Sequence, residues 1–544
     1  MVAEVFSAMI QGIEGQIVKI QVDISNGLPN FNMIGYLSNE VKESKERVRT
    51  ALNNIGVLLP PKRISVNFAP ADFRKCGVAA AILLAMDFVP ETYIKDTLFV
   101  GELSLNGQIC PISGVLPIVV AASKRGIKRC IVAQENVAEA AFVEQMEVVG
   151  CRNLEELFFY LKHGYIINDD SREILENSGN ISEDSGKECT IQDVKKSQEI
   201  SESTRSLNLL VKDILENADE DKISVTDFSE VKGQVMAKRA MEIAAAGYHN
   251  LMLGGPPGVG KSLLASCISG IMPQMTTEEM IDTTIIYSAK GLLKDSFSLI
   301  TKRPFRNPSL AVTQAGMFGG GMTPQPGEIS LAHHGILFLD EFPEYKREII
   351  EMLRVPLEKH EISIVRKEQT LTFPADFLLS VCANSCPCGY YPMDKCRCTY
   401  RQIVKYQNRI SGPILDRIDL FVRCEEIGYE ALTSNSKEES SADIRKRVSK
   451  AWEIQKERFA QSTTLFNGRM NKNEVEIYCK LDEEGQQLMK EAFSVFQLTG
   501  RSYFKILKVA RTIADLEGSY DIKSRHVEEA LYFRQKGEGR VKVR

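Results

Sequence analysis

At 544 residues the chain exceeds one ordinary hydrophobic core, and at roughly 100 to 200 residues per domain it divides into about three parts. With 44% hydrophobic and 26% charged residues and no run of about eighteen apolar residues, it reads as a globular protein and not as one that crosses a membrane by helices. A net charge of −5 excludes a surface coated in positive charge, and the N-terminus MVAEVFSAMIQGIEG lacks the basic and apolar regions of a signal peptide, so a cytoplasmic protein is expected. Thirteen cysteines, an odd number, do not make a disulfide framework in that compartment, so metal or burial must account for them.

In chain order, QIVKIQVDIS (Gln16–Ser25) and RISVNFAP (Arg63–Pro70) alternate apolar and polar residues and predict strands. Between them NEVKESKERVRTALNNIG has helical spacing and stops at Gly56, a residue suited to a helix C-cap. The stretch LFVGELSLNGQICPISGVLPIVVAASKRGIKRCIVAQEN predicts a hairpin turning at Asn106-Gly107, then a helix and a further strand. Residues 1–167 are therefore expected to form a mixed α/β domain. From Asn168 to Ser206 the chain is acidic, rich in serine and poor in aromatics, so 168–222 is expected to be a linker with little apolar surface to bury.

Beyond it, GPPGVGKS (Gly255–Ser262) matches G-x-x-x-x-G-K-[ST], follows the apolar strand NLMLG and precedes the helical LLASCISGIM. In that setting Gly255, Pro256, Pro257, Gly258, Val259, Gly260, Lys261, Ser262 and Leu263 are expected to form a loop around the phosphates of ATP at a helix N-terminus, with the backbone N–H groups of its non-proline residues turned onto the anion. Lys261 would reach the β and γ phosphates and Ser262 would hold Mg²⁺. GILFLDE (Gly335–Glu341) puts two carboxylates at the C-terminal end of a buried strand. Asp340 is expected to bind Mg²⁺ through water and Glu341 to polarise the attacking water, with a helix-cap role as the alternative for Glu341. A third strand, FLLSVCAN, ends at Asn384, an amide suited to sensing the γ phosphate.

EISIVRKEQTLTF (Glu361–Phe373) reads as a hairpin with Arg366 and Lys367 at its turn, a basic tip that would grip a DNA backbone or simply be solvated. In SCPCGYYPMDKCRC, Cys386, Cys388, Cys396 and Cys398 form C-x-C-x7-C-x-C, a thiolate set that suits a closed, structural Zn²⁺ site. From Arg501 onward, eleven Lys or Arg face six Asp or Glu, so the C-terminus is basic, either as a solvated tail or as a phosphate-binding arm.

The blocks DFSEVKGQVMAKRAMEIAAAGYHNLMLGGPPGVGKS, RPFRNPSLAVTQAGMFGGGMTPQPGEISLAHHGILFLDEFPE, ANSCPCGYY, ISGPILDRIDL and LTGRSYFKILKVARTIADLEG together resemble the magnesium-chelatase-like AAA+ ATPases of the YifB/ComM group. The resemblance implies an AAA+ α/β core over 223–427, a helical lid over 428–544 and a homohexameric ring with ATP at subunit boundaries. It also implies that Arg417 is an arginine finger reaching a neighbour's γ phosphate and that Arg501 is the lid's sensor arginine. The family more often has arginine where Lys505 stands, which makes Lys505 the competing sensor. A histidine pair usual near Ser309-Leu310 is missing, and ADFRKCGVAAAILLAM is shorter than the corresponding family stretch.

GELSLNGQICPISGVLPIVVAASKRGIKRCIVAQEN resembles the Lon protease domain, of the ribosomal S5 domain 2-like fold. Proteolysis there needs a lysine, which Pro111 to Ala122 lacks, and Cys76 is a poor substitute nucleophile. This domain is expected to serve binding or assembly. For the motor, the family implies translocation on DNA, as in branch migration during DNA uptake and recombination alongside competence proteins. The alternative it offers is chelatase-like remodelling of a protein partner.

Overall fold

The structure is a computed structural model, and it describes residues 2–34, 39–69, 76–143, 146–165, 226–293, 299–321, 324–366, 369–426, 428–429 and 438–535. The side chains of 39–44, 76, 366, 369 and 535 also lie outside the description. The expected linker, Lys367 and the tail after Gln535 all fall wholly outside these residues. The chain packs as two compact units, Met1–Glu220 with Thr284–Leu299, and Asp221–Thr283 with Ile300–Arg544.

In the first unit, strands β1 (Val2–Gln11), β2 (Glu14–Ser25), β3 (Asn30–Ile34), β4 (Arg63–Ala69) and β5 (Thr97–Phe99) precede a short hairpin, β6 (Glu102–Leu103) and β7 (Ile109–Cys110). After it come β8 (Arg129–Ala133) and β9 (Glu147–Cys151), completing a seven-stranded sheet in the order β3-β4-β2-β1-β5-β8-β9. The expected strands, the turn at Asn106-Gly107 and the helix ending before Gly56 all form. Val18, Ile20 and Val22 of β2 face helix Cys76–Ala85, which is apolar on nearly all sides and buried. Ala8 and Ile17 face helix Val115–Lys124 on the other side. A Cβ on Gly15 would stand 2.5 Å from the Ile118 Cα, so this close approach requires glycine.

Thr284–Leu299 belongs to this first unit although it follows the phosphate loop by more than twenty residues, an assignment no sequence pattern announced. Helix Val115–Lys124 begins at Gly114, which has no side chain to cap it. The buried Glu139 carboxylate takes that role by accepting from the Leu116 N–H at 3.0 Å, and Ser288 Oγ donates to the same oxygen at 2.5 Å. Burial pushes the Glu139 carboxyl up despite these donors.

The second unit carries a five-stranded, wholly parallel sheet. Its strands are β10 (Leu251–Gly254), β11 (Phe305–Arg306), β12 (Ile336–Leu339), β15 (Leu378–Ala383) and β16 (Leu420–Arg423), in the order β11-β12-β15-β10-β16. β13 (Glu361–Arg366) and β14 (Gln369–Pro374) form the expected hairpin apart from it. Every residue of β12 and β15 is buried, as a parallel strand covered on both faces demands. Helices Val235–Gly247, Lys261–Ile271, Ser441–Arg458 and Gly500–Leu516 share one core with Leu251 and Leu253. The C-terminal helices are thus packed into the same compact body as the sheet. Leu337, Leu339, Ile414 and Ile418 build the core on the opposite face. No helix among the described residues is long and apolar enough to cross a membrane.

Candidate nucleotide-hydrolysis site

Because all five strands run the same way, the residues that follow β10, β12 and β15 emerge at one end of the sheet, the crevice where open α/β sheets bind ligands. Gly258 and Gly260 take left-handed φ values of 82° and 83°, which let the phosphate loop curl before helix Lys261–Ile271 begins. Lys261 Nζ donates to Gly255 O at 3.0 Å, Pro256 O at 2.8 Å and Asn384 Oδ1 at 3.1 Å. Burial holds the Lys261 ammonium below the usual lysine range, opposed by Cys382, Cys424, Asp340 and Glu341 nearby. Ser262 Oγ donates to Asp340 Oδ2 at 2.6 Å, and the Glu341 N–H donates to Asp340 Oδ1 at 2.9 Å.

The structure therefore brings Lys261, Ser262, Asp340, Glu341 and Asn384 into one group. Glu341 sits in the left-handed region at φ 48°, a conformation costly for a residue with a Cβ and frequent where function dictates the backbone. It stands at the N-cap position of a short turn, but its side chain makes no cap hydrogen bond. The carboxylate is exposed and available for another task. Ser262 and Asp340 offer the hydroxyl and carboxylate oxygens that suit Mg²⁺, a hard cation that prefers oxygen ligands.

Arg417 and Arg501 lie elsewhere. Arg417 precedes β16 and so stands at the N-terminal end of the sheet, opposite the phosphate loop. Its Nη1 donates to Pro413 O at 2.7 Å, its Nη2 donates to Glu358, and its buried Nε has no partner. Arg501 Nη2 is 3.8 Å from the other Glu358 oxygen. Both arginines line a cleft of about 520 Å³ with Glu358, Asp419, Lys505 and Lys508, and no phosphate-loop residue lines it. Neither arginine is brought to Lys261 of its own chain. Lys505 is engaged at 2.5 Å with Asp419, which also accepts from the Asn250 N–H at 2.9 Å. Glu358 has no sequence signal, because EMLRVPLEKHEIS carries no motif to mark it.

The four cysteines converge. Sγ of Cys386 lies 3.4 Å from Cys388 and 3.7 Å from Cys396, Cys388 to Cys396 is 3.6 Å, and the ligand atoms of all four, Cys398 included, lie within 4.8 Å of one another. A tetrahedron with Zn–S bonds of about 2.3 Å has edges of about 3.8 Å, so the separations among Cys386, Cys388 and Cys396 come close to what zinc asks of its sulfurs and Cys398 is within reach of the same ion. Backbone N–H groups of Tyr390 and Arg397 draw the Cys388 thiol down to about 6, whereas the neighbouring Cys396 and Cys398 thiols are pushed up, so a metal bound here would displace their protons.

Asp282, His333 and His334 also cluster, but His333 Nδ1 accepts the Asp376 N–H at 3.1 Å, which leaves the ring's proton on the nitrogen a metal would want. Arg366 ends β13 opposite Gln369, and its side chain and Lys367 lie outside the described residues. Cys76 opens a helix, its side chain likewise undescribed.

Comparison with known proteins agrees with this geometry. The family model "Magnesium chelatase, subunit ChlI" matches residues 227–432, "Subunit ChlI of Mg-chelatase" matches 20–136, and "Magnesium chelatase, subunit ChlI C-terminal" matches 438–534. The chain is 37% identical over 541 residues to the competence protein ComM of Haemophilus influenzae, covering 98% of this chain and 97% of that protein. It is 35% identical over 536 residues to YifB of Escherichia coli, covering 96% and 95%. A shorter likeness, 29% over 168 residues, relates 26% of the chain to 30% of Lon protease 2 of Bacillus subtilis. The nucleotide group at one end of a parallel sheet and these near-full-length matches lead to one conclusion: the chain belongs to the magnesium-chelatase-like AAA+ family of ComM and YifB.

Proposed function

We propose that the chain is an ATP-hydrolysing motor that works as a homohexameric ring and translocates on DNA. The observation that carries the ring is the division of labour between the two ends of the sheet. Lys261, Ser262, Asp340, Glu341 and Asn384 gather at one end, and the arginines suited to γ-phosphate charge gather at the other. A site needing both is complete only when a second copy presents Arg417 and Arg501 to the first.

Within one site, Lys261 leaves its backbone carbonyl partners for the β and γ phosphates, and the loop's N–H groups hold the remaining oxygens. Ser262 and Asp340 hold Mg²⁺, which when bound offsets phosphate charge. Glu341 orients the attacking water, and Asn384, already on Lys261, senses whether a γ phosphate is present. Arg417 exchanges Glu358 for the neighbour's phosphate, a match its planar fork makes better than lysine would. Arg501, in the same cleft, serves the same phosphate, and Lys505 is a structural partner of Asp419.

The DNA reading is supported by the basic residues Arg366 and Lys367 at the hairpin and by a relative named as a competence protein. The match to a chelatase subunit supports a second reading, remodelling of a protein partner. The first domain serves binding or assembly, and the cysteine cluster holds structural Zn²⁺. ATP turnover with single-stranded, forked or no DNA, at low and high salt, tests the proposal. The expected result is a stimulation that fades with salt and is lost in Arg366→Ala/Lys367→Ala while basal turnover persists. Stimulation by a protein partner and by no DNA would favour the second reading.

A further inference from the structure

The cysteine cluster is joined to the phosphate loop at two places. Asn384, two residues before Cys386, accepts from Lys261 Nζ at 3.1 Å. Gly389, the residue after Cys388, is buried with φ +86°, and a Cβ placed on it would stand 2.6 Å from Cδ and 3.1 Å from Cγ of Pro257. Cys386 and Cys388 therefore lie between the two contacts, on a segment of six residues that leans on the phosphate loop at both ends. Further bonds brace the segment: the Tyr391 N–H donates to Cys386 Sγ at 3.4 Å, and Gln407 Nε2 donates to Ser385 O at 3.1 Å.

We propose that the four-cysteine knuckle is a positioning device of the nucleotide site, holding Asn384 on Lys261 and Gly389 against Pro257 so that the phosphate loop is shaped for the triphosphate before it arrives. The inference rests on the ATPase reading and adds a role for residues outside every nucleotide motif. A segment pinned only at its strand end would let Asn384 rotate and the Gly389 contact open, because thiols without a shared metal have no bond to keep them together. With the four sulfurs on one ion, the segment between the contacts has little freedom left, and an Asn384 held in place costs less ordering when nucleotide binds. Gly389 has to be glycine twice over, for its left-handed backbone and for its contact with the proline ring.

The full-length chain tests this by zinc content per chain and by titration with a fluorescent ATP analogue. Gly389→Ala is expected to keep its zinc and bind the analogue about tenfold more weakly, because the preorganisation of the loop is lost. Trimming the proline, Pro257→Ala, in the same chain is expected to recover the part of that loss due to the ring contact, leaving the part due to the left-handed backbone, a rescue that a merely structural defect does not allow. Cys398→Ser is expected to lose zinc and to weaken binding to a similar degree.

Binding as tight as the parent in folded Gly389→Ala or Cys398→Ser overturns the proposal. So does a double variant no better than Gly389→Ala, or a parent chain that carries no zinc. If Gly389→Ala does not fold, Cys398→Ser decides. A parent chain that binds no nucleotide fails the ATPase reading itself, which the zinc measurement keeps distinct from failure of the knuckle.

Discussion

Replacing Lys505 by Met separates a structural lysine from a sensing one. Asp419 is nearly enclosed, with 11% of its side chain exposed against 15% for Lys505, and its carboxylate meets the Asn250 N–H, the Lys505 ammonium and, at 3.8 Å, His249 Nδ1. Burial pushes the Asp419 carboxyl up, but the Lys505 charge outweighs it and holds the carboxyl well below the usual range. Removing the ammonium leaves a buried carboxylate whose remaining donors are a backbone N–H and a histidine whose pKa burial lowers.

Breaking a buried pair from one side costs about 3 to 5 kcal/mol, and the slight exposure here puts the cost near 3. At about 2 to 4 °C per kcal/mol, the thermal midpoint of this unit should fall by roughly 6 to 12 °C. Asp419→Asn in the same chain removes the orphaned charge and should restore much of the loss. Arg501→Ala, half exposed and 3.8 Å from its partner, should leave the midpoint within about 1 °C while slowing turnover. Differential scanning calorimetry with parallel ATPase assays reads both. A Lys505→Met chain as stable as the parent but unable to hydrolyse ATP would refute the reasoning and make Lys505 the sensor.

Arg417→Ala should cut kcat by roughly 10³-fold or more while nucleotide binding persists, measured by turnover and by titration of the ATP analogue. Mixing Arg417→Ala with Lys261→Ala chains should return some activity, since a ring then holds sites with one intact half from each. Acid should weaken the second unit through His333, whose burial pushes its pKa down to about 3. The folded value lies below the unfolded one near 6.5, so this stability is whole above pH 6.5 and is lost as pH falls. The loss is about 2 kcal/mol by pH 5, and His333→Asn should flatten that slope in urea titrations across this range.

Local chemistry was legible in the chain wherever a function demands contiguous residues. GPPGVGKS had to be a glycine-rich turn ahead of a helix, because only that geometry turns several N–H groups onto one anion, and it forms between β10 and helix Lys261–Ile271. GILFLDE had to be a buried strand ending in carboxylates, and C-x-C-x7-C-x-C had to bring four thiols within reach of one ion.

What the sequence could not decide was distance across the fold. Asn384 reaches Lys261 because β15 lies beside β10, a strand order set by packing both sheet faces and not by any local signal. Arg417 and Arg501, 84 positions apart, meet at Glu358 on the far end of the sheet from Lys261, and Thr284–Leu299 leaves its neighbours to complete the first unit. Motifs specify which groups are present and the backbone each requires. Which of them meet is set by the direction of parallel strands and the burial of their apolar faces, and that is a property of the whole chain.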